Sequence, residues 1–223
     1  MAKILVVAAH PDDEVLGCGG TMARHIANGD TVQTIFLADG VNSRGENPEE
    51  LQQRMEAANA AARVIGTLPP VFLQLPDNRL DSLDLLDIVQ KVEEYVFHIS
   101  PEIVYTHSAT DLNIDHRITH QAVLTACRPQ PGFSVHAIYG FEVLSSTHWA
   151  SNEMVASFKP VRFVDIGPFL ERKLEALACY EKEMRTYPHA RSMEAVRALA
   201  THRGTTVGLE AAEAFSAIRE IIS

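Results

Sequence analysis

Basic residues are scarce in this chain: 19 lysines and arginines stand against 29 aspartates and glutamates in 223 residues, a formal net charge of −10 at pH 7. That balance argues against a polyanionic nucleic acid or an anionic membrane surface as partner and predicts a solvated acidic exterior. Cysteine is sparse as well. Cys18, Cys127 and Cys179 are odd in number and show no Cys-x-x-Cys spacing, so a disulfide framework or a thiolate metal knot is not expected; they read as small core residues of a reducing compartment. There is no apolar run long enough to cross a bilayer, no Gly/Ser linker, no internal repeat and no low-complexity tract. Met1-Ala2-Lys3 opens no signal-peptide pattern. The expectation is a cytoplasmic protein without stable membrane insertion, one domain over residues 1–223, with homo-oligomerisation left open.

What the chain does have is rhythm. Apolar runs at 3–9, 31–38, 71–75, 102–107 and 137–143, with a late one at 162–165, read as strands, and 17–28, 48–65, 83–99 and 115–126 carry helical patterns between them. Continuous apolar strands alternating with helices predict an α/β fold, a Rossmann-like, mostly parallel sheet with helices on both faces. Segments 168–186, 192–200 and 210–222 add a helical C-terminal part. Right-handed crossovers bring the loops that follow parallel strands to one rim.

The first strand runs straight into His10-Pro11-Asp12-Asp13-Glu14, with Gly17, Gly19 and Gly20 behind it. Folding does not require four titratable side chains at the end of a buried strand, and such strand ends are where open α/β sheets build their sites. A helix cap and an acidic first turn would account for the three acids. They leave His10 over. An imidazole beside close-set carboxylates offers nitrogen and oxygen ligands to a borderline metal such as zinc, and still leaves one carboxylate to act on water.

A second polar cluster follows the fourth strand, from His107 through Asp111, Asn113, Asp115 and His116 to His120, on the same rim if the sheet is parallel. His116 and His120 stand four apart and share a helical face, so spacing allows both to bind one metal. It equally allows His120 to be a packed helix residue while Asp111 or Asp115 caps the helix start. His107 reads as a satisfied strand-end histidine. Asp77, after the third strand, can hydrogen-bond sugar hydroxyls or form an Asx turn with Asn78. His148-Trp149 can present an aromatic face, and Arg191, Arg203 and Gly204 suit either a pocket wall or a subunit contact.

Ala9-His10-Pro11-Asp12-Asp13-Glu14, followed about a hundred residues later by Asn113-Ile114-Asp115-His116, resembles the zinc-dependent de-N-acetylases of the PIG-L/LmbE-like family. Arg54-x-Glu56 before Gly66, Leu75-Pro76-Asp77-Asn78-Arg79, and the tail from Arg203-Gly204 to Phe215 look similar too. The resemblance implies zinc, or another divalent metal, held by His10, Asp13 and His116. It implies Asp12 as general base and Asp115 as a carboxylate that orients a ligand or catalytic group. Asn113 stands where several members have a histidine that polarises the amide oxygen or protonates the leaving group. Arg54 resembles the family's substrate-contacting arginine, against a surface ion pair with Glu50.

The implied reaction is hydrolysis of the N-acetyl amide of an amino sugar or N-acetylglucosamine conjugate, giving acetate and a free amine. A poor electrophile with a poor leaving group needs an activated water, a stabilised oxyanion and a proton for nitrogen, and this residue set can supply them. Competing readings fare worse. A receiver-type regulatory module needs a Lys after strand five, and none is there; Gly17-Cys18-Gly19-Gly20 lacks the G-x-G-x-x-G spacing of a dinucleotide fold. A metal-binding relative with little catalysis remains the alternative.

Overall fold

The computed structural model describes residues 1–41, 47–151 and 156–222. Its elements are β1 (Lys3–Ala8), α1 (Asp13–Ala27), β2 (Thr31–Ala38), α2 (Pro48–Ile65), β3 (Val71–Leu75), α3 (Leu85–Ile99) and β4 (Ile103–His107). They continue with α4 (Ile114–Ala126), β5 (Ala137–Phe141), β6 (Arg162–Asp165), α5 (Leu170–Ala178), α6 (Met193–Thr205) and β7 (Ala212–Glu220). The strands form one sheet in the order β3-β2-β1-β4-β5-β7-β6. The first five are parallel, and β7 runs antiparallel to both β5 and β6.

Strand alternation sorts the core. Ile4, Val6 and Ala8 of β1 face a cluster with Val15 and Met22 of α1, Ala58 and Ala61 of α2, and Leu177 of α5. Leu5 and Val7 face the other side, against Ile88, Val89 and Val92 of α3 and Ala122 and Val123 of α4. Burial on both faces is why β1 reads as an unbroken apolar run. After β1 the chain steps outward to β2 and β3, then returns to place β4 on the other flank of β1. The order therefore reverses between β1 and β4, and the crevice at their C-terminal ends is the usual place for a site in an open α/β sheet. The two polar loops follow these two strands.

The C-terminal part departs from expectation. Residues 210–222, expected as a helix, instead contain strand β7, Ala212–Glu220. Hydrogen bonding on both sides, to β5 and to β6, overrides local propensity, and Ala212, Ala214 and Phe215 are buried there. The helix expected over 168–186 stops at Ala178. Residues 179–192 are turns, and several of them reach the site.

Helix α1 begins at Asp13, earlier than the 17–28 pattern implied, and breaks at Cys18, whose φ of −147° is not helical. Cys18 itself is a fully buried core residue. The break frees backbone groups on both sides, and a buried ion pair takes them up. Lys173 Nζ donates to Leu16 O at 2.8 Å and lies 2.6 Å from Glu213 Oε1. The Glu213 carboxylate accepts from Gly20 N at 2.9 Å and Thr21 N at 2.7 Å, acting as an N-cap for the second half of the helix. Only glycine fits at position 20, where a Cβ would sit 2.8 Å from Ile166 Cβ. Among the described residues no helix is long and apolar enough to cross a membrane.

Candidate functional site

The turn after β1 is held in an unusual shape. Asp12 adopts φ 124°, ψ −30°, a region a non-glycine residue enters only when its surroundings compel it. Its backbone N–H donates to Glu14 Oε2 at 3.0 Å, and Tyr180 Oη donates to Glu14 Oε1 at 2.6 Å. Burial pushes the Glu14 carboxyl up to about 8. Glu14 thus braces the turn from behind, and Asp12 and Asp13 are the two acids presented forward.

Asp13 is the centre of the cluster. Its Oδ2 accepts from His10 N at 3.0 Å and lies 3.2 Å from His10 Nδ1 and 3.2 Å from His116 Nε2. Each imidazole turns its other nitrogen to a carboxylate behind it. His10 Nε2 is 3.0 Å from Asp115 Oδ2 and 3.1 Å from Asp77 Oδ1, and His116 Nδ1 is 3.1 Å from Asp111 Oδ2. Those carboxylates are themselves anchored. Asp115 accepts from Asn78 N at 2.7 Å and Leu80 N at 3.0 Å; Asp111 accepts from Asn113 N at 2.9 Å, Thr147 Oγ1 at 2.6 Å and Ser146 Oγ. Carboxylate behind imidazole is the arrangement that orients histidine ligands and raises their basicity.

The donor atoms of His10, Asp13 and His116 lie within 4.8 Å of one another, and all three residues are buried. Two further triplets, His107/Asp111/His116 and His10/Asp77/Asp115, meet the same limit. The first suits a cation best. Asp111 and Asp115 are already occupied by hydrogen bonds, whereas Asp13 Oδ1 is buried with no partner among the described residues. Charge points the same way. Burial alone would raise the Asp13 carboxyl, but the facing His116 and the hydrogen bond from His10 hold it well below the usual carboxylate range. Burial works to lower His116, but Asp13 and Asp111 lift it to about 9. Positive charge is what this pocket stabilises, and a divalent cation on the nitrogen and oxygen donors would supply it.

His107, set aside in the sequence as a strand-end residue, belongs to the same cluster. Its ring stacks on His116 with centroids 3.8 Å apart, its Nε2 accepts from Ala9 N at 2.8 Å, and burial with the adjacent His116 keeps it well below the ordinary imidazole value. His120 points elsewhere: its Nδ1 donates to His107 O at 2.8 Å, pinning α4 to the end of β4. His120→Ala is therefore expected to keep its metal in elemental analysis and to lose about 0.5–1.5 kcal/mol in a denaturant titration. Metal loss as complete as that of His116→Ala would restore the two-histidine helix arrangement.

Asp12 stands between two arginines. Its Oδ2 accepts from Arg191 Nη1 at 2.7 Å and is 3.6 Å from Arg54 Nη1, while its Oδ1 is buried without a partner among the described residues. Burial raises its carboxyl to about 6 against the pull of Arg191. Arg54 donates to Pro11 O and Gly40 O, each at 2.8 Å, and pairs with Glu183 at 2.9 Å. Glu50 is not its partner. Asn113 caps α4, accepting from Asp115 N at 2.8 Å and donating to Asn78 Oδ1 at 3.1 Å. Asn78 also donates to Asp77 Oδ1 at 3.0 Å, so Asp77 meets both its neighbour and His10. Arg203 and His148 converge on Glu142, and Trp149 is half exposed with its edge to His189.

Sequence reasoning passed over Asp111 except as a cap, left Tyr180 and Ser146 unassigned, and left Arg191 between a pocket wall and a subunit contact; it lies in the site, on Asp12. Asp111 carried a readable signal, an acid two residues before the Asn113 cap in a loop already rich in ligands. Arg191 carried none.

Comparison with known proteins bears on this geometry. The family model described as PIG-L, GlcNAc-PI de-N-acetylase, matches residues 5–127, which contain both polar loops. The uncharacterized deacetylase YaiS of Escherichia coli (strain K12) is 31% identical over 153 residues, 66% of this chain and 76% of that protein. Among solved structures, the N,N'-diacetylchitobiose deacetylase from Pyrococcus horikoshii superposes with a TM-score of 0.80 at 20% identity, covering 98% of this chain and 84% of that one. GalB, the 4-carboxy-2-hydroxymuconate hydratase of Pseudomonas putida KT2440, superposes with a TM-score of 0.79 at 22% identity, over 100% of this chain and 98% of that one. At such identities the structural likeness establishes the fold, and the fold alone carries more than one chemistry.

Proposed function

The chain belongs to the PIG-L family of de-N-acetylases, and we propose that this protein is a zinc-dependent hydrolase that removes acetyl from an N-acetylated amino sugar or its conjugate. The observation that carries the reading is a pair of buried carboxylate oxygens on adjacent residues, neither with a hydrogen-bond partner among the described residues. Asp13 Oδ1 stands beside two imidazoles, and Asp12 Oδ1 stands free of them.

In this reading His10, Asp13 and His116 hold the cation. A cation held there would supply Lewis acidity to the acetyl carbonyl and would lower the pKa of a neighbouring water from about 15.7 to about 7. Asp12 takes the proton from the attacking water at Oδ1 and returns it to the leaving nitrogen. Asn113 has no titratable proton to give, so Asp12 serves both steps. Asp115 and Asp77 hold the His10 ring, and Asp111 holds that of His116, fixing both nitrogens toward Asp13. Arg54, hydrogen-bonded to the backbone of the loops after β1 and β2, is the substrate-side wall next to the base.

The test is a screen of N-acetylated sugars and sugar conjugates for acetate release, with metal analysis on the same preparation. One cation per chain and equal amounts of acetate and free amine are expected, with activity lost to a chelator and restored by zinc. The acid limb of kcat/KM carries a second expectation. The base must be ionised, so activity falls as Asp12 takes up its proton. Its carboxyl lies near 6 without a cation, and an added cation lowers it. Turnover is thus flat around pH 7 and declines only below about 6. Full metal with no acetate from any substrate would favour a binding protein instead.

A further inference from the structure

Arg191 is distant in sequence from both polar loops, in the turns between α5 and α6, yet it makes the one close hydrogen bond to the Asp12 carboxylate among the described residues, Nη1 to Oδ2 at 2.7 Å. The same guanidinium donates from Nε to Ser145 Oγ at 2.6 Å and lies 3.6 Å from Glu183 Oε2. Its main chain is fixed as well. The Arg191 N–H donates to His189 Nδ1 at 3.0 Å, and its carbonyl accepts from Arg185 N at 3.1 Å. The next residue, Ser192, is fully buried and caps α6 by accepting from Ala195 N at 3.1 Å. One planar fork thus ties together the loop after β1, the loop after β5 and the segment after α5.

We propose that Arg191 is a positioning residue for the reaction: it pins Asp12 Oδ2 and leaves Oδ1 as the only oxygen of that carboxylate open to a proton. The inference rests on the reading of Asp12 as the base. Arg54 does not duplicate the role, because its Nη1 and Nη2 are spent on Pro11 O and Gly40 O and it approaches Asp12 only to 3.6 Å. Asp12 also needs restraint more than most residues do. Its positive φ persists only where the surroundings hold it: Glu14 braces the backbone of the turn, and Arg191 holds the side chain. Arg191 makes no hydrogen bond to His10, Asp13 or His116, so its loss leaves the metal donors as they are. A lysine in its place keeps the charge but cannot bridge Ser145 and Asp12 with a planar fork.

The experiment compares the wild-type chain, Arg191→Ala, Arg191→Lys, Ser145→Ala and Asp12→Asn on one N-acetylated sugar, with bound metal measured for each. Arg191→Ala is expected to lower kcat about 100-fold with KM and metal content unchanged, the scale of effect that a misplaced catalytic group produces. Arg191→Lys, which keeps the buried stem and guards against a folding defect, should fall between, as should Ser145→Ala. Millimolar guanidinium should raise the rate of Arg191→Ala and not that of Asp12→Asn. Wild-type kcat in Arg191→Ala, a rise in KM alone, or loss of metal in step with activity would each overturn the proposal. If Asp12→Asn is inactive while Arg191→Ala is normal, the positioning role alone falls; if Asp12→Asn is itself active, the assignment of the base falls first.

Discussion

Asp12→Asn is expected to lower kcat by about 10²–10⁴-fold, the range associated with losing a positioned general base, while its metal content stays at the wild-type level. The substitution keeps the shape of the side chain and an oxygen for Arg191 to donate to, but removes the site that takes a proton. His10→Ala, Asp13→Ala and His116→Ala are expected to behave in the opposite order, losing the cation first and activity in consequence. Each of these contributes an atom to the set of donors within 4.8 Å, and Asp12 does not. Elemental analysis and acetate release on the same four proteins separate the two classes. Turnover by Asp12→Asn at the wild-type rate would remove the base from the mechanism, and metal loss in that variant would place Asp12 among the ligands.

The parts of this site legible in the sequence are those in which local pattern and tertiary position agree. Burial on both faces makes β1 and β4 read as apolar runs, and the order reversal between them sets their following loops side by side. The loops that carry His10, Asp13 and His116 could therefore be placed on one rim from the sequence, while the choice of these three as a ligand set came from the resemblance to the PIG-L/LmbE-like family. The period of α4 was less decisive. His116 and His120 share a face, but they are four residues apart, about 6 Å along the axis, and that step carries His120 behind the strand end to the carbonyl of His107.

The rest was hidden for identifiable reasons. β7 is written in helix-forming residues and becomes a strand because both neighbours offer it hydrogen bonds, which no window of sequence contains. Glu14 looked like a third forward acid, but Tyr180, 166 positions away, draws it behind the turn. Arg191 reaches Asp12 across a separation of 179, through a stretch of turns without periodicity. Long-range polar contacts of this kind leave no local signature, and here they are the ones that bear on the base.

Lys173→Met is expected to destabilise the fold by about 3–5 kcal/mol, the cost of stranding one charge of a buried pair. For a chain of this size that corresponds to a fall in Tm of roughly 6–20 °C. Side-chain exposure is 4% for both Lys173 and Glu213, so neither charge can turn to water when the other is removed. The pair also does backbone work, since Lys173 covers Leu16 O and Glu213 covers Gly20 N and Thr21 N where α1 breaks. Methionine fills the volume but gives no hydrogen bond, leaving Leu16 O without its donor and the Glu213 charge without its counter-ion. Arg197 and Glu171 form a two-pronged pair at 2.6 and 2.9 Å on the exposed surface, and Glu171→Ala should leave the melting curve nearly unmoved. The difference reaches the site, because the first turn of α1 carries Asp13 and the break at Cys18 separates that turn from the rest of the helix. A Lys173→Met protein melting with the Glu171→Ala control would mean that the kink is held by apolar packing alone; a large fall accompanied by weaker metal retention would mean that the buried pair also aims Asp13.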